Sequence, residues 1–400
     1  MSMPMEAPAL RGRRSRRRKA GLIVATALLL LIAGSFAFTA AIRMKNPLFL
    51  LRFLFTPRSE VETLYDTRMV AASSLPRPIP EQLRPLSRTV PWKGRNEDIV
   101  RVLQQTETHV LLVMCRGTLV NAWYRDAGKK TARESSWSIA KSVVGLLVGQ
   151  LIDEGKLSED TKLVAVLPEF SAGGKFDDIT VRDLLDMKSG IDVTEDYSEY
   201  KPFTGVAGMQ VTTDLPGYMM KNRALAFAPG TRSDYRSIDA QYLSMIVARV
   251  EGEPLAKVLQ RRLWGPLGAE DIATWNLDHA DGLERGFGNL NATPRDFAKL
   301  GLLALAGGKV GERTLISPAW MARITTPVAE AEPGWMYAAL WWHPPGHERH
   351  GDYSAIGVYG QYVYVNPRHH TVVVKLSDYG SQQDEAETID VFRAVAEGCQ

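Results

Sequence analysis

The stretch Ser135-Ser-Trp-Ser-Ile-Ala-Lys-Ser-Val-Val-Gly-Leu-Leu-Val-Gly-Gln-Leu-Ile-Asp-Glu-Gly155 decides how the rest of the chain is read. It is a strongly apolar helix that stops at Gly155, a common C-terminal cap. Near its start stands Ser138-Ile-Ala-Lys141, an S-x-x-K. Positions i and i+3 share a helical face, so this hydroxyl and this amine meet without help from the rest of the fold. Serine is a weak nucleophile until a base takes its proton. Lysine serves as that base only if desolvation or nearby positive charge lowers its pKa. The residues after Lys141 are Ser-Val-Val-Gly-Leu-Leu, so the amine is expected in a dry region. So short a pattern arises by chance, and a capping serine with a surface lysine would look the same. An apolar helix is a poor place for an exposed lysine, however.

Two downstream elements add weight. Pro229-Gly-Thr-Arg-Ser-Asp-Tyr235-Arg-Ser237 precedes a helical stretch, and a tyrosine on such a loop can relay a proton to a leaving group. Taken alone, Tyr235 would be an ordinary core tyrosine. Ala355-Ile-Gly357-Val-Tyr-Gly360-Gln361 leads into a strand, and its glycines let backbone N–H groups approach a substrate. Ser237, Gly357 and Gln361 are therefore candidate substrate-binding residues beside the catalytic candidates Ser138, Lys141 and Tyr235.

Around these elements the pattern alternates between strands and helices. Asn96–Thr108 reads as a helix, and His109–Arg116, Gly117 and Thr118–Tyr124 as a β-hairpin. The middle, about 158–300, is mostly helical. Thr180 and Asp183 follow a helix-start rule there, and Thr293-Pro294 opens another helix. Strand character returns at Tyr359–Val365 and Thr371–Leu376, and a last helix covers Glu385–Glu397. Strands at both ends with helices between them predict an α+β fold: an antiparallel β-sheet flanked by helices, with an inserted mostly helical region.

The N-terminal sixty residues are of another kind. Ala20–Ile42 carries no charge over 23 residues, enough for a helix to cross a bilayer core of roughly 30 Å. Residues 1–19 hold seven Arg or Lys against one Glu. Such a flank stays in the cytoplasm, which places the remainder on the outer, periplasmic face of a bacterial inner membrane. The length of the apolar run favours an uncleaved anchor over a signal peptide, whose apolar region is usually about 7–15 residues. Pro47–Phe55 is too short to span and is expected to lie at the interface or against the domain. Five prolines between 76 and 91 predict an extended strap.

The whole chain carries +3 and its first nineteen residues +6, so the other 381 carry −3. That balance gives no footprint for nucleic acid. The two cysteines, Cys115 and Cys399, make no disulfide framework, and Cys115 is expected as a buried small hydrophobe. His343, His347 and His350 are separated by Pro344-Pro-Gly346, so they share no helical face, and no metal site is expected.

The three chemical elements, in this order, resemble the serine β-lactamase and penicillin-binding superfamily, in particular class C β-lactamases, esterases of that fold and 6-aminohexanoate-dimer hydrolases. Ile179-Thr-Val-Arg-Asp-Leu-Leu-Asp-Met-Lys-Ser-Gly-Ile191, Phe227-Ala-Pro-Gly230, Gly265-Pro-Leu-Gly268 and Ala292-Thr-Pro-Arg-Asp-Phe-Ala-Lys-Leu-Gly301 extend the resemblance over about residues 70–400. It implies that Ser138 forms an acyl-enzyme, that Lys141 takes its proton, and that Tyr235 protonates the leaving group. It also implies an oxyanion hole from the backbone N–H of Ser138 and one from the far strand. That second donor is Val358 in the aminohexanoate-hydrolase register, or Ala355 in a register without the gap. The chain departs from the β-lactamases in having Tyr-Arg-Ser for Tyr-x-Asn, and Ala355-Ile-Gly357 where Lys-Thr-Gly is usual. The missing lysine normally holds a substrate carboxylate. The expected organisation is a basic tip (1–19), a membrane helix (20–42), an interfacial segment and strap (43–92) and a hydrolase domain (93–400, with its helical insertion at about 158–300). No cofactor is implied, the expected partner is a small amide or ester, and oligomeric state is left open. The rivals are a β-lactamase or D,D-peptidase and a catalytically idle, membrane-tethered binding protein.

Overall fold

The computed structural model describes residues 10–86, 89–197, 201–380 and 384–399. The first nine residues of the basic tip lie outside that set. The body is α+β. Its main sheet has eight antiparallel strands in the order Ala329–Glu332, Trp335–Ala338, Trp341–His343, Tyr353–Gly357, Gln361–Asn366, Thr371–Ser377, Thr108–Cys115 and Thr118–Tyr124. The early hairpin thus joins the C-terminal strands, as the pattern at the two ends of the chain predicted. Both faces are covered, which is why Gln361–Asn366 is buried at every position. Tyr362 and Tyr364 meet Phe392 of the C-terminal helix Glu385–Glu397. Val363 and Val372 lie under Gly301 of the helix Pro294–Leu305.

Several boundaries differ from the sequence reading. Arg95–Asp98 is paired with Thr89–Trp92, so the following helix starts only at Ile99, with the Asp98 carboxylate capping Val100 and Arg101 N–H. The three strands between 329 and 343 fall in a region that periodicity left unplaced. The inserted region is not wholly helical. Ala273–Asn276 and Leu290–Ala292 join Thr67–Val70 and Glu134–Ser135 in a second, four-stranded sheet. Within the proline-rich segment, Gln82 and Arg84 N–H bond to Leu119 and Val120 carbonyls along the outer edge of the main sheet. That contact covers an edge that would otherwise be open to pairing.

The expectation for Cys115 is corrected. It forms a disulfide with Cys399, with the Cα atoms 5.4 Å apart. A separation of 284 residues gave no local spacing from which to read the pairing. The strand that carries Cys115 and the end of the last helix meet only in the folded sheet.

A second tie crosses the body. His109 lies with Nδ1 3.2 Å from Glu134 Oε2 and Nε2 3.1 Å from Asp378 Oδ2. Burial opposes its charge, but hydrogen bonds to Asp378 and Glu134 outweigh burial and raise its pKa to about 9. A pKa raised on folding stabilises fully below the unfolded value near 6.5, and that stabilisation is lost as pH rises through 9. Lys141 and Lys375, whose pKa values burial lowers, act in the opposite sense, so the comparison must be with a variant. The Tm gap between wild type and His109→Gln is expected to be largest near pH 6 and to shrink by pH 9.5. Thermal melts across that range check it, and a gap that grows with pH would contradict it.

Candidate active site

Ser138 stands at the N-cap position of the helix Ile139–Asp153. Ser136 fixes the approach: its N–H bonds Leu290 O at 2.8 Å, and its hydroxyl accepts Leu290 N–H at 3.1 Å. Trp137 between them has φ of +46°, a region costly for a bulky side chain. The indole is held there by a 3.1 Å bond to Arg58 O and by the ring of Tyr359, 4.7 Å away. Further along, Gly145 and Gly149 let the turn at Ala339 and the ring of Trp320 lie directly on the helix. A Cβ on Gly149 would stand 2.2 Å from Trp320.

Lys141 is buried, with Nζ 2.7 Å from Ser138 Oγ and donating to Phe287 O at 2.7 Å. Burial lowers its pKa to about 8, against the attraction of Glu195. Its Nζ also lies 5.1 Å from the centre of the Tyr235 ring. Tyr235 is positioned by its own loop, which docks on the turn after Leu185. Ser233 Oγ bonds Asp186 O at 2.7 Å, and Asp234 N–H bonds Met187 O at 2.8 Å. The Trp342 ring lies tilted against the Tyr235 ring at 4.9 Å, and Tyr337 meets it edge-on at 5.9 Å. Burial holds the phenol in its neutral form, opposed in part by a hydrogen bond with Ser138. The S-x-x-K and the tyrosine loop, about a hundred residues apart, are therefore brought together.

The far strand closes the site. Gly357 ends the strand Tyr353–Gly357, and a Cβ there would lie 2.4 Å from Ser136 O and 3.0 Å from Ser138 N. Only a residue without a side chain lets this strand reach Ser138. Val358 follows and lines the same cleft as Ser138. Ala355 sits within the strand, buried and paired with Val363. Gln361 is buried, and its amide is taken up by Tyr359 O, Ser377 O and Ser377 N–H. It shapes the turn, contrary to the expectation that it contacts substrate. Ser237 lines the cleft, but its hydroxyl donates to Glu195 Oε2 at 3.0 Å.

Glu195 is the residue the sequence reading missed. Its carboxylate accepts from Ser237 N–H, Ser237 Oγ and Tyr197 OH. It thus caps the N-terminus of the helix Ser237–Glu251 from 42 residues away, where the helix dipole favours negative charge. Nothing in Thr194-Glu-Asp-Tyr197 signals this. Asn289 and Gln210 complete the polar floor, where Gln210 Nε2 donates to Asn289 Oδ1 at 2.9 Å. Of the histidines, His343 is buried and hydrogen-bonded to Ile324 O, and its ring lies 5.5 Å from that of His347. Among the described residues no group of three or more His, Cys, Asp or Glu is arranged to hold a metal ion.

The family model described as Beta-lactamase matches residues 98–397. A 6-aminohexanoate-dimer hydrolase of Paenarthrobacter ureafaciens is 30% identical over 302 residues, 71% of this chain and 76% of that protein. Esterase EstB of Burkholderia gladioli is 28% identical over 159 residues, 37% of this chain and 40% of that protein. A solved Bacillus anthracis structure, assigned provisionally as a 6-aminohexanoate-dimer hydrolase, superposes with a TM-score of 0.77 at 21% identity. The superposition covers 88% of this chain and 96% of that one, and at this identity it speaks for the fold alone.

Proposed function

Because the chain belongs to the β-lactamase family, close to its esterases and 6-aminohexanoate-dimer hydrolases, we propose that it is a serine hydrolase cleaving small amide or ester bonds through an acyl-enzyme on Ser138. The observation that carries this reading is the buried Lys141 amine, 2.7 Å from Ser138 Oγ, with its pKa lowered to about 8. In its neutral form Lys141 takes the hydroxyl proton as Ser138 Oγ attacks the carbonyl carbon. The N–H groups of Ser138 and Val358 receive the oxyanion, a reading supported by the close approach of Gly357 to Ser138 N. The neutral phenol of Tyr235 protonates the departing nitrogen or oxygen and is reprotonated from Lys141. Water then attacks the acyl carbon by the reverse route.

The family's Lys-Thr-Gly lysine is replaced by Ala355, which argues for substrates without the carboxylate of β-lactams and D-Ala-D-Ala peptides. In a panel of p-nitrophenyl esters, linear amides and nitrocefin, kcat/KM for an ester or linear amide is expected to exceed that for nitrocefin. Faster nitrocefin turnover would favour a β-lactamase, and no turnover of any would favour an idle binding protein.

A neutral-lysine base also sets the pH dependence. Below about pH 8 Lys141 is protonated, so kcat/KM is expected to rise with pH through that value. Glu195 favours the charged amine, so Glu195→Gln is expected to move this limb to lower pH. A pH–rate profile checks it, and a shift to higher pH would count against Lys141 as the base.

We place the domain on the outer face of a cytoplasmic membrane, with Gly21–Ala41 as the span. That stretch is apolar and exposed at every position except Thr39 near its C-terminal end, and the Cys115–Cys399 disulfide fits an oxidising compartment. Membrane extraction by alkaline carbonate tests it: release into the supernatant would contradict an anchor.

A further inference from the structure

A cleft opens beside Ser138, and its lining is largely apolar with a few polar groups, as in sites that take organic ligands. Its floor, around Ser138, Gln210 and Asn289, is polar. Its walls are mostly apolar: Leu50, Phe53 and Leu54 from the helix Pro47–Phe55, and Val206, Ala207 and Val211 from the helix Gly205–Val211, with the Arg58 guanidinium also on the lining, 4.7 Å from the centre of the Phe53 ring. The cleft runs from Ser138 past Val358 and Tyr359, and Tyr235 does not line it. With Tyr235 serving the leaving group, the occupant of this cleft is the acyl part of the substrate.

The wall helix has a second face. Leu48, Leu51 and Phe55 are 57%, 53% and 80% exposed, and Leu54, at 48%, reaches both solvent and cleft. This helix begins six residues after the end of the long helix Leu10–Ala41, whose apolar part is Gly21–Ala41, and the elbow between them is fixed to the body. Lys45 N–H bonds Val211 O at 2.7 Å, Thr212 Oγ1 bonds Arg43 O at 3.1 Å, and the Phe38 ring lies 6.3 Å from Phe203. The apolar span, the elbow and both cleft walls therefore form one connected unit, with the mouth of the cleft beside the exposed apolar face.

We propose that the natural substrates are amphiphiles: esters or amides of a long acyl chain, the chain lying between these two helices and the polar leaving group toward Tyr235. This rests on the hydrolase reading above. Ser138 Oγ bonds to the acyl carbonyl carbon as the bond to the leaving oxygen or nitrogen breaks, and the leaving group departs with a proton. Water then adds to the acyl carbon, Ser138 recovers its proton, and a fatty acid is released.

The test uses the full chain in nanodiscs with p-nitrophenyl acetate, butyrate, octanoate and decanoate. Each buried methylene is worth roughly fourfold, so kcat/KM for octanoate is expected to exceed that for acetate by at least about 30-fold. Leu50→Trp and Val206→Trp, which fill the cleft from opposite walls, are expected to lower the octanoate-to-acetate ratio by about tenfold or more. A flat or falling chain-length profile, with acetate still turned over, would overturn the acyl-chain assignment and leave the hydrolase reading standing. No turnover of any ester and no phosphonate adduct on Ser138 would overturn both. Release of fatty acid from phosphatidylglycerol in the nanodisc would assign membrane lipid as the source. Turnover of the added long-chain esters alone would assign a free amphiphile.

Discussion

Replacing Lys141 with methionine is expected to lower kcat/KM by about 10²–10⁴-fold, the usual contribution of a positioned base, while the protein stays folded. Methionine matches the length of the lysine stem and fills the same dry slot between Ser138, Phe287 and the Tyr235 ring. Ser138 Oγ and Phe287 O each lose the lysine as a donor. A buried amine with a lowered pKa also carries a desolvation cost, which an apolar replacement removes. Tm is therefore expected to hold or rise as activity collapses. Circular dichroism melts beside ester turnover separate the two, and a variant that melts normally and turns over at the wild-type rate would remove Lys141 from the mechanism.

Gly357→Ala is expected to cost about 10²–10³ in kcat, with KM changed far less. The new methyl group would sit 2.4 Å from Ser136 O and 3.0 Å from Ser138 N. Ser136 cannot retreat, because its N–H is bonded to Leu290 O at 2.8 Å. The strand must move instead and, on the proposed assignment, take Val358 N–H out of reach of the oxyanion. Because the oxyanion forms only in the transition state, the loss falls on kcat. An unchanged kcat would place the second donor elsewhere.

The site was legible in the sequence to the extent that local geometry makes it. Ser138 and Lys141 are one helical turn apart, so their meeting follows from helix periodicity alone. Thr180 and Asp183 form the capping box their spacing predicts. Gly357 was legible as a close-approach glycine, although what it approaches proves to be the backbone of Ser136 and Ser138. What was hidden depends on distant partners. Glu195 caps a helix 42 residues later, Gln361 turns its amide inward to Ser377, and Cys115 finds Cys399 only when the last helix packs beside the hairpin. The helix Pro47–Phe55 was readable as apolar and short. Its place as a wall of the Ser138 cleft was not, because nothing local to it names the far wall at Val206–Val211.

The central claim is that Ser138 is an activated nucleophile. The direct measurement is intact-protein and peptide mass analysis of the full chain after treatment with a fluorophosphonate probe, for wild type and Lys141→Met. The account predicts a single adduct on Ser138 in the wild type and its loss or strong slowing in the variant. A folded wild-type protein that takes up no probe, or takes it up at another residue, would contradict it.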